Sequence, residues 1–181
     1  MPQPRPEQWK RNKAIPDADD AAVLLAIEQR WGDLLIVLNE TGWHTSEVLR
    51  FAKDGRSEAH SSGSTVLVCP QRKSGEVQRT FVSGSVAEVA RRVLQRGSFS
   101  EARFLKAVRL ACAKAGVRRF GPGQYRHTVA TRLVNAGADP AAVAAFLGHK
   151  SPQTTRRFYA TLAVVPRPVP LTVAPAGIRV G

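Results

Sequence analysis

The apolar positions change period along the chain, and the changes lay out the expected elements. Asp17, Asp19 and Asp20 precede Val23, Leu24 and Ile27. Those carboxylates are expected to open a helix by answering its free N–H groups and the positive end of its dipole. After a break, Leu34, Leu35, Val37 and Leu38 give a second apolar face, which Thr41-Gly42 ends. Ser46 to Phe51 predicts a short third helix, and Lys53 to Gly63 reads as turn-rich. Ser64–Cys69 and Val77–Val82 are β-rich runs joined by Gln71-Arg72-Lys73-Ser74-Gly75-Glu76, which predicts a hairpin.

The helical period returns at Ser85. Val86, Val89, Ala90 and Val93 fall on one face of a helix. Phe104, Val108, Ala111, Cys112 and Ala115 repeat that spacing and stop at Gly116. Gly121-Pro122-Gly123 introduces a helix from about Gln124 to Ala136, with Gly137 as its stop. Asp139-Pro140 starts another through Leu147, and Ser151-Pro152 starts a last one through Tyr159. The order predicts a mainly α domain with a small antiparallel β-sheet (α+β), spanning 18–163. Residues 1–17, with Arg5, Lys10, Arg11 and Lys13, read as a basic flexible arm or linker, and 164–181 as a Pro-rich C-terminal tail.

Charge narrows the partner. The chain has 27 Lys and Arg against 14 Asp and Glu, a net charge of +13. A surplus of that size attracts phosphate-rich polymers. Cys69 and Cys112 are far apart and form no C-x-x-C pair, so neither a disulfide framework nor a metal site is expected. The N-terminal stretch lacks the apolar core of a signal peptide, and no run approaches the ~20 apolar residues of a membrane span. A cytoplasmic protein is the expectation.

Two C-terminal segments carry the chemistry. Tyr125-Arg126-His127-Thr128-Val129-Ala130-Thr131 is followed by Gly137-Ala138-Asp139, then by Phe146-Leu147-Gly148-His149-Lys150-Ser151 and Thr154-Thr155. Upstream stand Thr41-Gly42-Trp43-His44-Thr45-Ser46-Glu47 and Lys73-Ser74-Gly75. In order and spacing these closely resemble the motifs of the tyrosine recombinase (phage integrase) family, catalytic domain. The resemblance covers most of the chain. It implies a tyrosine recombinase catalytic-domain-like fold and strand cleavage through a 3′-phosphotyrosyl link, with no metal and no cofactor. It also implies double-stranded DNA as partner, self-association on DNA, a nucleoid-associated location, and neither a membrane nor a small-molecule substrate.

Carried onto these residues, the resemblance makes Arg126 a guanidinium donor to the phosphate, His149 a hydrogen-bond donor, and Lys73 the hairpin lysine that reaches the leaving oxygen. His127 is left a packing role. Three positions depart from the pattern. His44 stands where the family has its first arginine, and offers one donor direction where a guanidinium offers a fork. Gly123 stands where a histidine is usual. The usual nucleophile position holds Phe158, which has no oxygen. Tyr159 is next to it, and a one-residue step turns a helical side chain by about 100°. Tyr159 is taken as the nucleophile, with Tyr125 read as packing. Arg72, Arg118, Arg119, Lys150, Arg156 and Arg157 are the expected DNA contacts, each a possible solvated charge when taken singly. The expected function is a site-specific recombinase or integrase catalytic domain. The alternative is a catalytically degenerate DNA-binding relative. A basic RNA-binding module, the third reading, leaves the order of Arg126, His149 and Tyr159 without a purpose.

Overall fold

The computed structural model describes residues 14–61, 63–70 and 77–148. Seven helices and three strands follow in the order α1 (Asp17–Ala26), α2 (Gln29–Thr41), α3 (Thr45–Asp54), β1 (Arg56–Ala59), β2 (Thr65–Cys69), β3 (Gln78–Val82), α4 (Gly84–Arg96), α5 (Glu101–Lys114), α6 (Gln124–Asn135) and α7 (Pro140–Leu147). The strands form one antiparallel sheet in the order β1-β2-β3. Mainly α with a small antiparallel sheet is therefore what the chain adopts.

Helix α2 is the axis of the fold. Trp31, Leu34, Leu35, Val37 and Leu38 are all buried, on more than one face, because α1, α4, α5, α6 and β3 pack around it. Burying side chains of this size contributes about 1.5–3 kcal/mol each. Trp31 stacks on Phe104 of α5, and Trp43 meets Phe51 of α3 edge to face. The Trp43 indole N–H donates to Thr80 Oγ1 at 3.0 Å, so the buried ring also ties the loop before α3 to β3. A second, smaller apolar cluster joins α6 and α7 through Val129, Leu133, Val143 and Leu147.

Three expectations need correction or extension. The turn-rich segment contains β1, whose ladder pairs Arg56 with Val68 and Ala59 with Thr65. Its residues show no apolar alternation because the strand lies at the sheet edge with charged side chains in solvent. There Arg56 and Arg79 both hold the Glu58 carboxylate. The Asp17 to Asp20 group does not cap α1: Pro16 occupies the cap position and no side chain answers the free N–H groups. Those aspartates act on the dipole alone, and Asp20 is committed elsewhere. Ile15, inside the segment expected to be an arm, is buried in the core, and its backbone N–H donates to Thr128 Oγ1 of α6 at 2.9 Å. The hairpin strands are paired as expected, from Thr65 opposite Val82 to Cys69 opposite Gln78. Their connecting residues 71–76, the helix expected over Ser151–Tyr159 and the tail lie outside the described residues.

One buried charge joins α2 to α4. The Asp33 carboxylate is 2% exposed and accepts from Arg92 Nη2 at 2.6 Å, from Arg92 Nε at 3.0 Å, and from Arg96 Nη1. Burial pushes this carboxyl up, but the hydrogen bonds and charges of Arg92 and Arg96 outweigh it and hold it below the ordinary carboxylate value. A group lowered in the native state contributes stability in full above its unfolded value and loses it as pH falls through the native one. Asp33→Asn should cost about 1–3 kcal/mol in urea unfolding at neutral pH. The gap between variant and parent should close in acid as Asp33 itself protonates.

Candidate active site

The site is built where helix ends meet. Helix α2 stops at Gly42, which adopts the left-handed conformation at φ 63°. A Cβ added there would lie 2.4 Å from Leu147 Cδ2 and 3.2 Å from Val129 Cγ1. Both the dihedral and the space therefore require glycine. The chain then turns through buried Trp43 to His44, the exposed N-cap of α3. Glu47, itself buried, accepts the His44 backbone N–H at 2.7 Å and fixes that turn.

Arg126 lies in the first turn of α6 and is 9% exposed. Its Nη1 donates to the Gly42 carbonyl at 3.0 Å and its Nη2 to the Leu147 carbonyl at 2.7 Å. These oxygens belong to the C-terminal ends of α2 and α7, where helix dipoles place partial negative charge, so a buried cation is stabilised there. One guanidinium thus joins three helices. Gly42 is two residues before His44, and Leu147 is two residues before His149. The hairpin arrives nearby, since Cys69, the last residue of β2, donates its thiol to the Glu47 carbonyl in the first turn of α3 at 3.3 Å.

The described residues bring Arg126 and the His44 turn together. Arg118 and Arg119 are exposed in the segment that joins α5 to α6. Gly123 is the N-cap of α6, exposed, with open space where a Cβ would go and with an ordinary φ of −63°. Nothing in the backbone requires glycine there. His127 is half-buried on α6. Lys73, Arg72, His149, Lys150, Arg156, Arg157, Phe158 and Tyr159 lie outside the described residues.

Tyr125 is fully buried and its ring packs edge to face on Phe120. Its hydroxyl donates to Asp20 Oδ1 of α1. Burial first, then the Asp20 charge and hydrogen bond, push its ionisation far above the ordinary phenol value. A hydroxyl so placed is a poor nucleophile. The chain has two tyrosines, so the remaining one is Tyr159. Sequence reasoning assigned Tyr125 to packing but missed its partner, because Asp20 read as one of three dipole-facing acids. It also missed the Gly42 and Leu147 carbonyls, since backbone acceptors carry no sequence signal.

Among the described residues no cluster of His, Cys, Asp and Glu could hold a metal ion, and no helix is long and apolar enough to cross a membrane. Residues 81–164 match the model of the phage integrase family. Over 49 residues the chain is 43% identical to prophage integrase IntR of Escherichia coli (strain K12), covering 27% of this chain and 12% of that protein. Over 42 residues it is 45% identical to transposase B from transposon Tn554 of Staphylococcus aureus (strain Mu50), covering 23% of this chain and 7% of that one. The fold matches XerA recombinase with a TM-score of 0.66 at 18% identity, over 90% of this chain and 64% of that chain. XerH site-specific recombinase bound to its difH substrate matches at 0.64 and 20% identity, over 82% and 50%. The catalytic domain of bacteriophage HP1 integrase matches at 0.56 and 17% identity, over 82% and 87%. The chain spans about half the length of the XerH chain and a small part of the curated relatives.

Replacing Gly42 by Ala should destabilise the domain by about 2–4 kcal/mol, from left-handed strain plus overpacking against Leu147. Thermal or urea unfolding measures this. Gly123→Ala, at a position with neither constraint, should cost little.

Proposed function

We propose that this chain, which matches the phage integrase family model over residues 81–164 and has the fold of tyrosine recombinase catalytic domains, is a site-specific recombinase or integrase catalytic domain that cleaves and rejoins duplex DNA through a 3′-phosphotyrosyl intermediate. The observation that carries this reading is the buried Arg126 guanidinium, held between the two helix ends that lead into His44 and His149. The net charge of +13 supports a polyanionic partner. Action on chromosomal DNA would place the protein in the cytoplasm at the nucleoid.

In this mechanism the Tyr159 oxygen attacks the scissile phosphorus and passes its proton to water. The bond from phosphorus to the 5′-oxygen breaks, and that oxygen takes a proton from Lys73. Charge crowds onto the non-bridging oxygens, where Arg126, His149 and His44 donate hydrogen bonds. Arg72, Arg118, Arg119, Lys150, Arg156 and Arg157 neutralise flanking phosphates. A 5′-hydroxyl then attacks the phosphotyrosyl ester, expels Tyr159 and restores the phosphodiester. Self-association on DNA would bring two strands into register for exchange. On this reading the catalytic body begins by Ile15, which is buried in the core, and runs to 163, with a basic arm before it and a C-terminal tail over 164–181.

A second reading, a DNA-binding relative that has lost catalysis, is favoured by Gly123, which puts no side chain at an exposed helix start beside Arg126. A nicked suicide duplex separates the two. The recombinase reading expects a denaturation-resistant protein–DNA adduct that disappears in Tyr159→Phe. Retained salt-sensitive binding without any adduct supports the second reading, and an adduct persisting in Tyr159→Phe overturns the nucleophile. The open space at Gly123 admits a histidine, so Gly123→His combined with His44→Arg should raise the rate of adduct formation on the order of 10²-fold, the range of a regained acid or base.

A further inference from the structure

A polar network lies directly behind Arg126, and neither catalysis nor DNA contact accounts for it. The Tyr125 hydroxyl donates to Asp20 of α1. Asn39 of α2 donates its amide to the other oxygen of the same carboxylate at 3.0 Å. Arg132, two turns along α6 from Tyr125, donates to the Asn39 carbonyl at 2.5 Å and contacts the Asn39 side-chain oxygen at 3.3 Å. Three helices are thus fixed in mutual register, and Asn39 is three residues before Gly42, whose carbonyl Arg126 holds. Apolar contacts alone allow small sliding between packed helices; directional hydrogen bonds to a shared carboxylate oppose it. Tyr125 is the residue before Arg126, so its hydroxyl is a tether at the start of the turn that delivers the guanidinium.

We infer that Tyr125 and Asp20 are positioning residues, whose hydrogen bond sets α6 against α1 and α2 so that Arg126 reaches the Gly42 and Leu147 carbonyls together. The inference rests on the proposed function in one respect, that Arg126 meets the scissile phosphate. Its geometric part stands independently. Tyr125→Phe keeps the ring against Phe120 but removes the donor. Asp20→Leu removes the acceptor, while Asp20→Asn keeps an oxygen that can accept.

The first readout is nitrogen-15 NMR of the Arg126 guanidinium. In the parent protein its two Nη groups, each on a different carbonyl, should give separate, slowly rotating signals. In Tyr125→Phe and Asp20→Leu those signals should merge or broaden, and Asp20→Asn should restore them. The second readout is adduct formation on the suicide duplex, which should fall roughly 10- to 100-fold in the same two variants, a larger loss than that in DNA affinity, as expected for a misplaced group. Val108→Ala in the α5 core, chosen to match the loss in melting temperature, should move neither readout. If Tyr125→Phe lowers only the melting temperature and leaves the split Arg126 signals and the adduct rate as in the parent, the inference is overturned. If the parent forms no adduct, the recombinase reading is what fails, and the NMR comparison still decides the positioning role.

Discussion

The structure turns on the problem of keeping a guanidinium inside a protein. Arg126 is nearly buried, and a buried cation is costly unless its donors are answered. The fold answers two of them with carbonyls at the C-terminal ends of α2 and α7. Much follows from that choice. Gly42 must be a glycine, because the chain has to turn through positive φ while α7 packs against it. Leu147 must end its helix so that its buried carbonyl is left for Arg126, which the left-handed Gly148 permits. The same clasp brings together the segments that lead to His44 and His149.

Around that clasp the remaining polar burial is organised as struts. Asp33 with Arg92 and Arg96 joins α2 to α4. Asp20 with Tyr125 and Asn39 joins α1, α6 and α2. Both use a carboxylate shared between two donors, which fixes direction as well as distance. Their carboxyls are shifted oppositely. Asp33 is drawn down by two guanidinium groups, whereas burial outweighs the Tyr125 hydrogen bond at Asp20 and raises it. The strut near Arg126 and the apolar packing of α2 therefore serve one end: they hold the helix ends around Arg126 in fixed register.

Much of the fold was legible from periodicity. The second helix declared itself through Leu34, Leu35, Val37 and Leu38, and its end through Gly42, because apolar spacing and a left-handed stop are local signals. The hairpin strands were equally plain. Strand β1 was not, since Arg56-Ser57-Glu58-Ala59 carries its information in backbone pairing at a sheet edge. Asp20 was misread for a related reason: its partner Tyr125 is distant in sequence, and an acid in a first helical turn already has a local explanation. For the candidate site, the motif singled out Arg126 but not its environment, because Gly42 and Leu147 take part through carbonyl oxygens. The departures at His44 and Gly123 were visible in sequence; what was not is that His44 takes part, with Glu47, in the capping box that starts α3.

If the Arg126 clasp forms a phosphate-binding centre, duplex binding across a range of salt concentrations will register it. Affinity should fall steeply as salt rises, and Arg126→Gln should bind more weakly, with a log–log slope shallower by about 0.9 for the lost phosphate contact. Binding that ignores salt, or that is the same in slope and strength without the Arg126 guanidinium, would contradict it.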